Sequence, residues 1–384
     1  MLKAYKYRLY PNKAQKELID KTFGCCRFVY NFARGQQKKE EDMWSKVKDM
    51  QQQGYPFHDY NSKFFNKFEN VNAIKELKKN YAWLSEVDSI ALQSSIENLA
   101  NAYDKYYKKQ GAKPIFKSKK KNDVTSYTTK CVNNNIRIIG NYIKLPKLNV
   151  IKVKAHISFS GKIKKATISK TPTNKYYVSL IVDTNDIVPL EKTNKNIGVD
   201  LGITDFAILS NGIKIPNNHF MERQLRKLEK AHQVLSRKTI GSVSWEKSKL
   251  KVAKIYEKIS NQRKDFLNKI TYNLVKQFDV ICIENLDVSA LKETDNSKRN
   301  MHVSDVSWYE FKRQLAYKCE WYGKILSVVD RYFPSSQICS CCGHNDGKKA
   351  LNVRSWVCPN CKAKLDRDVN ASINILTEGL RILK

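Results

Sequence analysis

A chain of 384 residues is long enough for two or three compact domains with a substantial core. Its 41% apolar and 11% aromatic content excludes a wholly disordered polymer. The charge is lopsided: 70 Lys and Arg against 37 Asp and Glu leave a formal +33, the balance of a protein that meets polyanions. No amphipathic basic helix or lipidation signal points that charge at a membrane surface, so nucleic acid is the expected partner. The opening MLKAYKYRLYPNK has no apolar signal core, and no run approaches the length of a transmembrane helix. A cytoplasmic location with reduced thiols is therefore expected, and the 10 cysteines point to metal before disulfides.

In chain order, residues 3–10 read as a short strand closed by Pro11-Asn12. A long helix should follow, with Leu18, Phe23, Cys26, Val29 and Tyr30 at helical spacing, until Gly54-Tyr55-Pro56 breaks it. A second helix is expected over about 85–109, its core stripe Ile90, Leu92, Ile96, Leu99 and Tyr103. Residues 105–121 then carry eight lysines and no acid, interleaved with Tyr106, Tyr107 and Phe116. They read as a flexible basic arm suited to phosphate contacts and base stacking, with Lys113, Lys117, Lys119, Lys120 and Lys121 as candidate nucleic-acid contacts. Residues 125–187 alternate β-branched and polar side chains, as an antiparallel sheet or small barrel would, and the first strand could join it. Beyond a linker near 190–196, an α/β pattern runs to the end of the chain.

Three acids stand out in that last stretch. In IGVDLGITDFAILSNG the side chains Ile197, Val199, Leu201 and Ile203 share one strand face, with Gly198, Asp200 and Gly202 on the other. The two glycines are expected to leave room above Asp200 for a hydrated divalent ion or for a backbone. Glu284 ends the apolar run VICIE, at the strand end where open α/β sheets place their chemistry; a structural salt bridge is the competing reading. KLDRDVNASINIL opens a closing helix whose buried face is expected to be Val369, Ile373, Leu376 and Leu380. One of Asp366 and Asp368 would cap that helix and the other join the site, and spacing alone does not choose between them. Three such carboxylates suit a pair of Mg²⁺ or Mn²⁺ ions acting on a phosphodiester. No Ser/His/Asp arrangement, phosphate loop or dinucleotide fingerprint competes. The histidines at 58, 156, 219, 232, 302 and 344 are scattered and form no HxxxH pair.

Cys339 and Cys342, then Cys358 and Cys361, make two CxxC knuckles, the spacing of a structural four-cysteine Zn²⁺ site. Cys341 is a spare thiol that leaves the register of the first knuckle open. Cys25, Cys26, Cys131, Cys282 and Cys319 read as small buried apolar residues.

GVDLGI, IENL and a CxxC/CPxC pair running into LDRDVNASINIL, together with YKYRLYPNKAQ, LQSSIENLANAYDKYYKK and PIFKSKKK, resemble the TnpB (OrfB) proteins of insertion-sequence transposons, relatives of type V CRISPR effectors. The resemblance spans essentially the whole chain. It implies an α/β multidomain RNA-guided DNA endonuclease with guide RNA and target DNA as partners. Residues 1–10 and 125–190 would form a wedge-like β-barrel domain, and residues 11–124 a helical recognition domain. Residues 197–384 would form a RuvC-like (RNase H-like) nuclease domain, interrupted at 331–364 by a zinc-ribbon insert that binds target nucleic acid. Matched motif by motif, the resemblance implies Asp200, Glu284 and Asp368 as catalytic Mg²⁺ ligands, Asn370 as an accessory residue, and a lid over about 287–305. It also implies one Zn²⁺ on the four paired cysteines. A monomer with one RNA is the working expectation, with a dimer left open. A non-cleaving RNA-guided DNA-binding repressor, a miniature type V CRISPR effector and a zinc-ribbon binder without catalysis are the alternative readings.

Overall fold

The computed structural model describes the chain except at residues 54, 56–63, 120–124, 186–187, 288–296 and 351, and gives only the backbone at 297–299. The chain divides into two compact units, residues 1–186 and 187–384.

In the first unit, β1 (Leu2–Tyr10) runs into α1 (Lys13–Gln52), a single 40-residue helix opened by a reciprocal cap between Asn12 and Gln15. A helix that the sequence pattern did not announce follows, α2 (Lys67–Asn80), capped by Asn66. Its polar sequence buries only Ile74 and Leu77, too few to leave an apolar stripe. A 3₁₀ turn at Ala82–Ser85 leads to α3 (Ser89–Tyr107), capped by Asp88 and packed on α1 through the expected Leu92, Ile96, Leu99 and Tyr103. The strands β2 (Ser126–Lys130), β3 (Arg137–Ile139), β4 (Tyr142–Leu145), β5 (Asn149–Lys154), β6 (Lys162–Lys170) and β7 (Tyr176–Asp183) complete an antiparallel sheet. Its order is β2-β6-β7-β1-β5-β4-β3, so the first strand lies mid-sheet between β7 and β5. Among the described residues the ladder ends at β2 and β3, which makes it an open sheet rather than a barrel closed by strand pairing.

The basic segment differs from the flexible arm that its composition suggests. Asn31 of α1 exchanges both backbone hydrogen bonds of Lys117 with its amide, and Arg34 donates to the Pro114 carbonyl. Lys113 pairs with Glu41, and the Lys117 ammonium lies 4.1 Å from the centre of the Tyr30 ring. Residues 113–117 are therefore fastened to α1, and a side-chain amide that satisfies a backbone pair is invisible to composition. Lys119 is exposed, and Lys120 and Lys121 lie outside the described residues.

The second unit is built on a mixed sheet ordered β10-β9-β8-β11-β12: β8 (Asn196–Leu201), β9 (Asp205–Leu209), β10 (Lys214–Pro216), β11 (Val280–Glu284) and β12 (Ile325–Val329). β8, β11 and β12 are parallel; β9 and β10 return as a meander. Between β10 and β11 run two helices, α4 (Phe220–Ser236) and α5 (Val243–Gln277). Between β11 and β12 lie α6 (Ser297–Val306) and α7 (Trp308–Tyr322). Ile197, Val199 and Leu201 point into a core shared with Leu267, Leu274, Phe311 and Leu315 of α5 and α7. A short hairpin, β13 (Ser355–Val357) with β14 (Lys364–Asp366), precedes the closing helix α8 (Arg367–Ile382), which packs on β8, β11 and β12. Asp279 locks the entry to the sheet: its carboxylate accepts the Thr193 and Asn194 amides and pairs with buried Lys324. Among the described residues, no helix is long and apolar enough to cross a membrane.

Candidate active site and cysteine cluster

The parallel register pairs Ile283 with Val199, so one residue further Glu284 and Asp200 end adjacent strands side by side. Both project to the face covered by α8, because two residues earlier Cys282 and Gly198 meet that helix. α8 approaches closely, since a Cβ on Gly198 would stand 2.0 Å from the Ser372 carbonyl oxygen and one on Gly379 would stand 2.4 Å from Cys282 Sγ. The buried face of α8 is accordingly Asn370, Ala371, Ser372, Asn374, Ile375 and Gly379 rather than the large apolar residues Val369, Ile373, Leu376 and Leu380, which are only partly covered. Small side chains let the helix lie against the sheet, and a stripe of bulky ones would hold it away. Of the two occupants expected in the space the glycines leave, an ion or a backbone, this contact shows backbone. Gly198 makes room for the helix, and a Cβ on Gly202 would meet the Asp205 carbonyl oxygen at 2.7 Å in the turn to β9.

The first turn of α8 resolves the two neighbouring aspartates. Asp366 caps the helix through the amides of Asp368 and Val369, and its other oxygen pairs with Lys214 of β10 at 2.7 Å. Those contacts hold its carboxyl below the usual range, against the cost of partial burial. Asp368, one helical turn before Ser372, falls within the electrostatic reach of Asp200 and carries a 3.4 Å contact to Arg354.

The Asp200 and Glu284 carboxyl groups are close enough to shift each other's titration. Burial, then the Glu284 and Asp368 charges, hold the Asp200 carboxyl well above the usual carboxylate range. Burial likewise pushes Glu284 up to about 7. Burial favours the protonated forms of Asp200 and Glu284, and a divalent cation between them would favour the ionised forms instead. Their oxygen donors suit a hard ion such as Mg²⁺ or Mn²⁺. Beside Glu284 opens a cavity of about 660 Å³, lined by Leu286 and by Trp308, Tyr309, Lys312 and Arg313 of α7, with Arg331 beyond β12. Lys312 is steered by Asn285 Oδ1 at 2.8 Å and Arg331 by Asp287 at 2.8 Å. The floor of this cleft is therefore acidic and its walls are basic and aromatic. The sequence reading missed these α7 side chains, because their helical spacing places them in the cleft only once α7 is laid beside β11.

The cysteines assemble as their spacing requires. Sγ of Cys339 lies 3.6 Å from that of Cys361, and Sγ of Cys342 lies 3.7 Å from that of Cys358. Sulfurs at the corners of a zinc tetrahedron stand roughly 3.8 Å apart, so the donor set and its size fit Zn²⁺. Hydrogen bonds from the His344 amide, then from Asn360, favour the thiolate at Cys342, while the thiols crowded around it push Cys361 the other way. Cys341 is exposed and outside the cluster, which fixes the register of the first knuckle. Trp356 and Leu365 back the cluster, with the Lys349 ammonium 3.6 Å from the Trp356 ring centre. Of the remaining thiols, Cys25, Cys26, Cys282 and Cys319 are buried as expected, and Cys131 is half-buried.

Asn370 is engaged by the first knuckle. Its amide donates to the Ile338 carbonyl and accepts the Ser340 N–H, and Asn374 donates to the Ser335 and Ile338 carbonyls. Both asparagines fasten the first knuckle to α8. Of the expected lid, 288–296 lies outside the described residues and 297–305 belongs to α6.

Comparison with known proteins agrees with this architecture. A family profile described as "Probable transposase" matches residues 179–295, one described as "Cas12f1-like, TNB domain" matches 308–375, and one described as "Helix-turn-helix domain" matches 1–40. In this chain residues 1–40 are β1 and the first part of α1. A chain from the cryo-EM structure of the Cas12f1–sgRNA–target DNA complex shares the fold, with a TM-score of 0.50 at 13% identity over 98% of both chains. The "Putative RNA-guided DNA endonuclease" of Streptomyces pristinaespiralis is 34% identical over 98% of this chain and 89% of its own length. "Putative RNA-guided DNA endonuclease InsQ" of Escherichia coli K12 is 30% identical over 100% and 93%. The "TnpB-like protein L79" of Acanthamoeba polyphaga mimivirus is 23% identical over 98% and 73%. Relatedness of this extent, over the whole length and through both the acid-bearing and cysteine-bearing segments, makes the chain a member of the TnpB (OrfB) family of insertion-sequence proteins.

Proposed function

We propose that this protein is an RNA-guided DNA endonuclease, acting in the cytoplasm on DNA selected by base pairing to a bound guide RNA. The pairing of Asp200 and Glu284 at adjacent parallel strand ends, with Asp368 within electrostatic reach of Asp200, carries the reading. Asp200 and Glu284 would present oxygens from two strands, and Asp368, in the first turn of α8 and within electrostatic reach of Asp200, would supply the third carboxylate. Divalent cations held there would favour the ionised forms of Asp200 and Glu284 over the protonated ones that burial favours. Two Mg²⁺ ions held there would supply an activated water and charge neutralisation at the leaving oxygen of a phosphodiester. Lys312, Arg313 and Arg331 draw the phosphodiester backbone into the cleft, and Tyr309, 74% exposed, offers a face for an unpaired base.

The four-cysteine cluster holds one structural Zn²⁺ in a ribbon spanning about 331–364 that supports α8 and meets target nucleic acid. The sheet of the first unit serves as the wedge, and α1–α3 with the basic segment serve as the recognition region for guide RNA and heteroduplex.

The test is cleavage of target DNA by the protein purified with its copurifying RNA, in Mg²⁺, beside Asp200→Ala. Wild type should cut a target matching that RNA, and the variant should fall at least about 10³-fold, a barrier increase of about 4 kcal/mol. Equal cutting by both would refute the acid site. Copurification of random RNA fragments alone would refute guidance while leaving the nuclease intact.

A further inference from the structure

We propose that His219, Glu222 and His302 form a transition-metal site that fastens α6 onto the start of α4, separate from both the acid cluster and the cysteine ribbon. One ligand atom from each lies within 4.8 Å of the others, although His302 is 83 positions from His219. The imidazole rings meet edge to face at 5.3 Å between centres, and Glu222 Oε2 lies 3.6 Å from His219 Nδ1, beyond hydrogen-bond reach.

A second observation points to an occupant. His219 Nδ1 is shut off from solvent without a hydrogen bond, a state that costs free energy unless something binds there. The backbone is also committed: His219 sits at φ +46, in the left-handed region, as the residue that opens α4. Asn217 holds that geometry, accepting the His219 N–H while donating to the Ile203 carbonyl in the turn after β8. Opposite, Asp305, one turn beyond His302, accepts the Met221 N–H and pairs with Arg263 of α5. The three ligands are thus carried on a frame that is already tied together.

Two imidazoles and one carboxylate are the donor set of Zn²⁺, Ni²⁺ or Co²⁺ rather than Mg²⁺. Ligands on such an ion stand roughly 3.4 Å apart, so small side-chain rotations would close the present spacing. Three protein ligands leave a coordination position for water. Occupancy would clamp the helix that directly follows residues 288–296, and α6 leads through Ser307 into α7 and the cleft side chains Trp308, Tyr309, Lys312 and Arg313. The site rests on its own geometry and stands whether or not the nuclease assignment does.

The experiment uses untagged full-length protein with the ribbon loaded with zinc and Mg²⁺ in excess, titrated with Ni²⁺ by calorimetry and followed by thermal unfolding. Wild type should take up one further equivalent and gain roughly 5 °C in Tm. His219→Gln with His302→Gln should take up none, and Glu222→Gln, on the surface, should bind at least about tenfold more weakly. His232→Gln, which alters a histidine paired elsewhere with Tyr256, should bind as wild type does. The same uptake by wild type and the double variant, or an equal loss in His232→Gln, would overturn the site. If Ni²⁺ leaves the Tm of wild type and of the surface variant Glu222→Gln alike, the cluster is a His219–Glu222 ion pair only.

Discussion

Gly198 and Asp200, two residues apart on one strand face, divide the labour of the site. The glycine admits α8 to the sheet, and the aspartate lies within electrostatic reach of Asp368 on that helix. Gly198→Ala would place a methyl 2.0 Å from the Ser372 carbonyl oxygen, against backbone that cannot rotate away. It should cost about 1–3 kcal/mol in thermal or denaturant unfolding, and cleavage should fall through displacement of Asp368. Asp366 and Asp368 supply a sharper contrast. Asp366→Ala removes a helix cap and the Lys214 partner, a loss of about 1 kcal/mol with cleavage retained within a few fold. Asp368→Ala should leave stability near wild type and lower cleavage about as far as Asp200→Ala does. Parallel unfolding and cleavage measurements on both variants check the pair, and the opposite ranking would assign the acids the other way.

At the scale of elements, α8 is the part on which most depends. Its first turn sets Asp368 within electrostatic reach of Asp200, while Asn370 and Asn374 hold the knuckle backbone at Ser335, Ile338 and Ser340. Zinc removal should therefore reach the acids by way of α8. Chelation, or Cys358→Ala, should unfold the ribbon, lower Tm and reduce cleavage, with Zn²⁺ restoring the chelated wild type alone. Loss of zinc without loss of cleavage would uncouple the two.

The entry to β8 gives a pH dependence. Lys324, then the Thr193 amide, hold the Asp279 carboxyl well below its usual value. Its stabilisation is complete above the unfolded-chain pKa of about 4 and fades as pH drops toward the lower folded value. The stability gap between wild type and Asp279→Asn should be constant near neutrality and shrink below about pH 4. A gap that widened on acidification would contradict the pairing.

Over the whole molecule, the +33 excess should dominate nucleic-acid affinity. If six to ten phosphates are neutralised, affinity should fall roughly 10³–10⁵-fold between 50 and 200 mM salt, measurable by filter binding on a log–log plot. A flat salt response would mean that the excess charge does not face the ligand.

Periodicity and motif spacing by themselves determined the long helix α1, the core stripe of α3, the acid-ended strands β8 and β11, and the paired knuckles. Each of these is a local pattern, set by side chains a few positions apart along one element. Resemblance determined the order of parts and the preference for Asp368. The tertiary structure alone decided that β1 lies mid-sheet, that Asn31 and Arg34 pin the basic segment, and that the buried face of α8 is mostly small or polar, with Ile375 as its one large apolar residue. It also brought His219 to His302 across 83 positions. These features come from close approach between elements distant in sequence, where a missing Cβ or a single amide sets the packing and leaves no periodic trace.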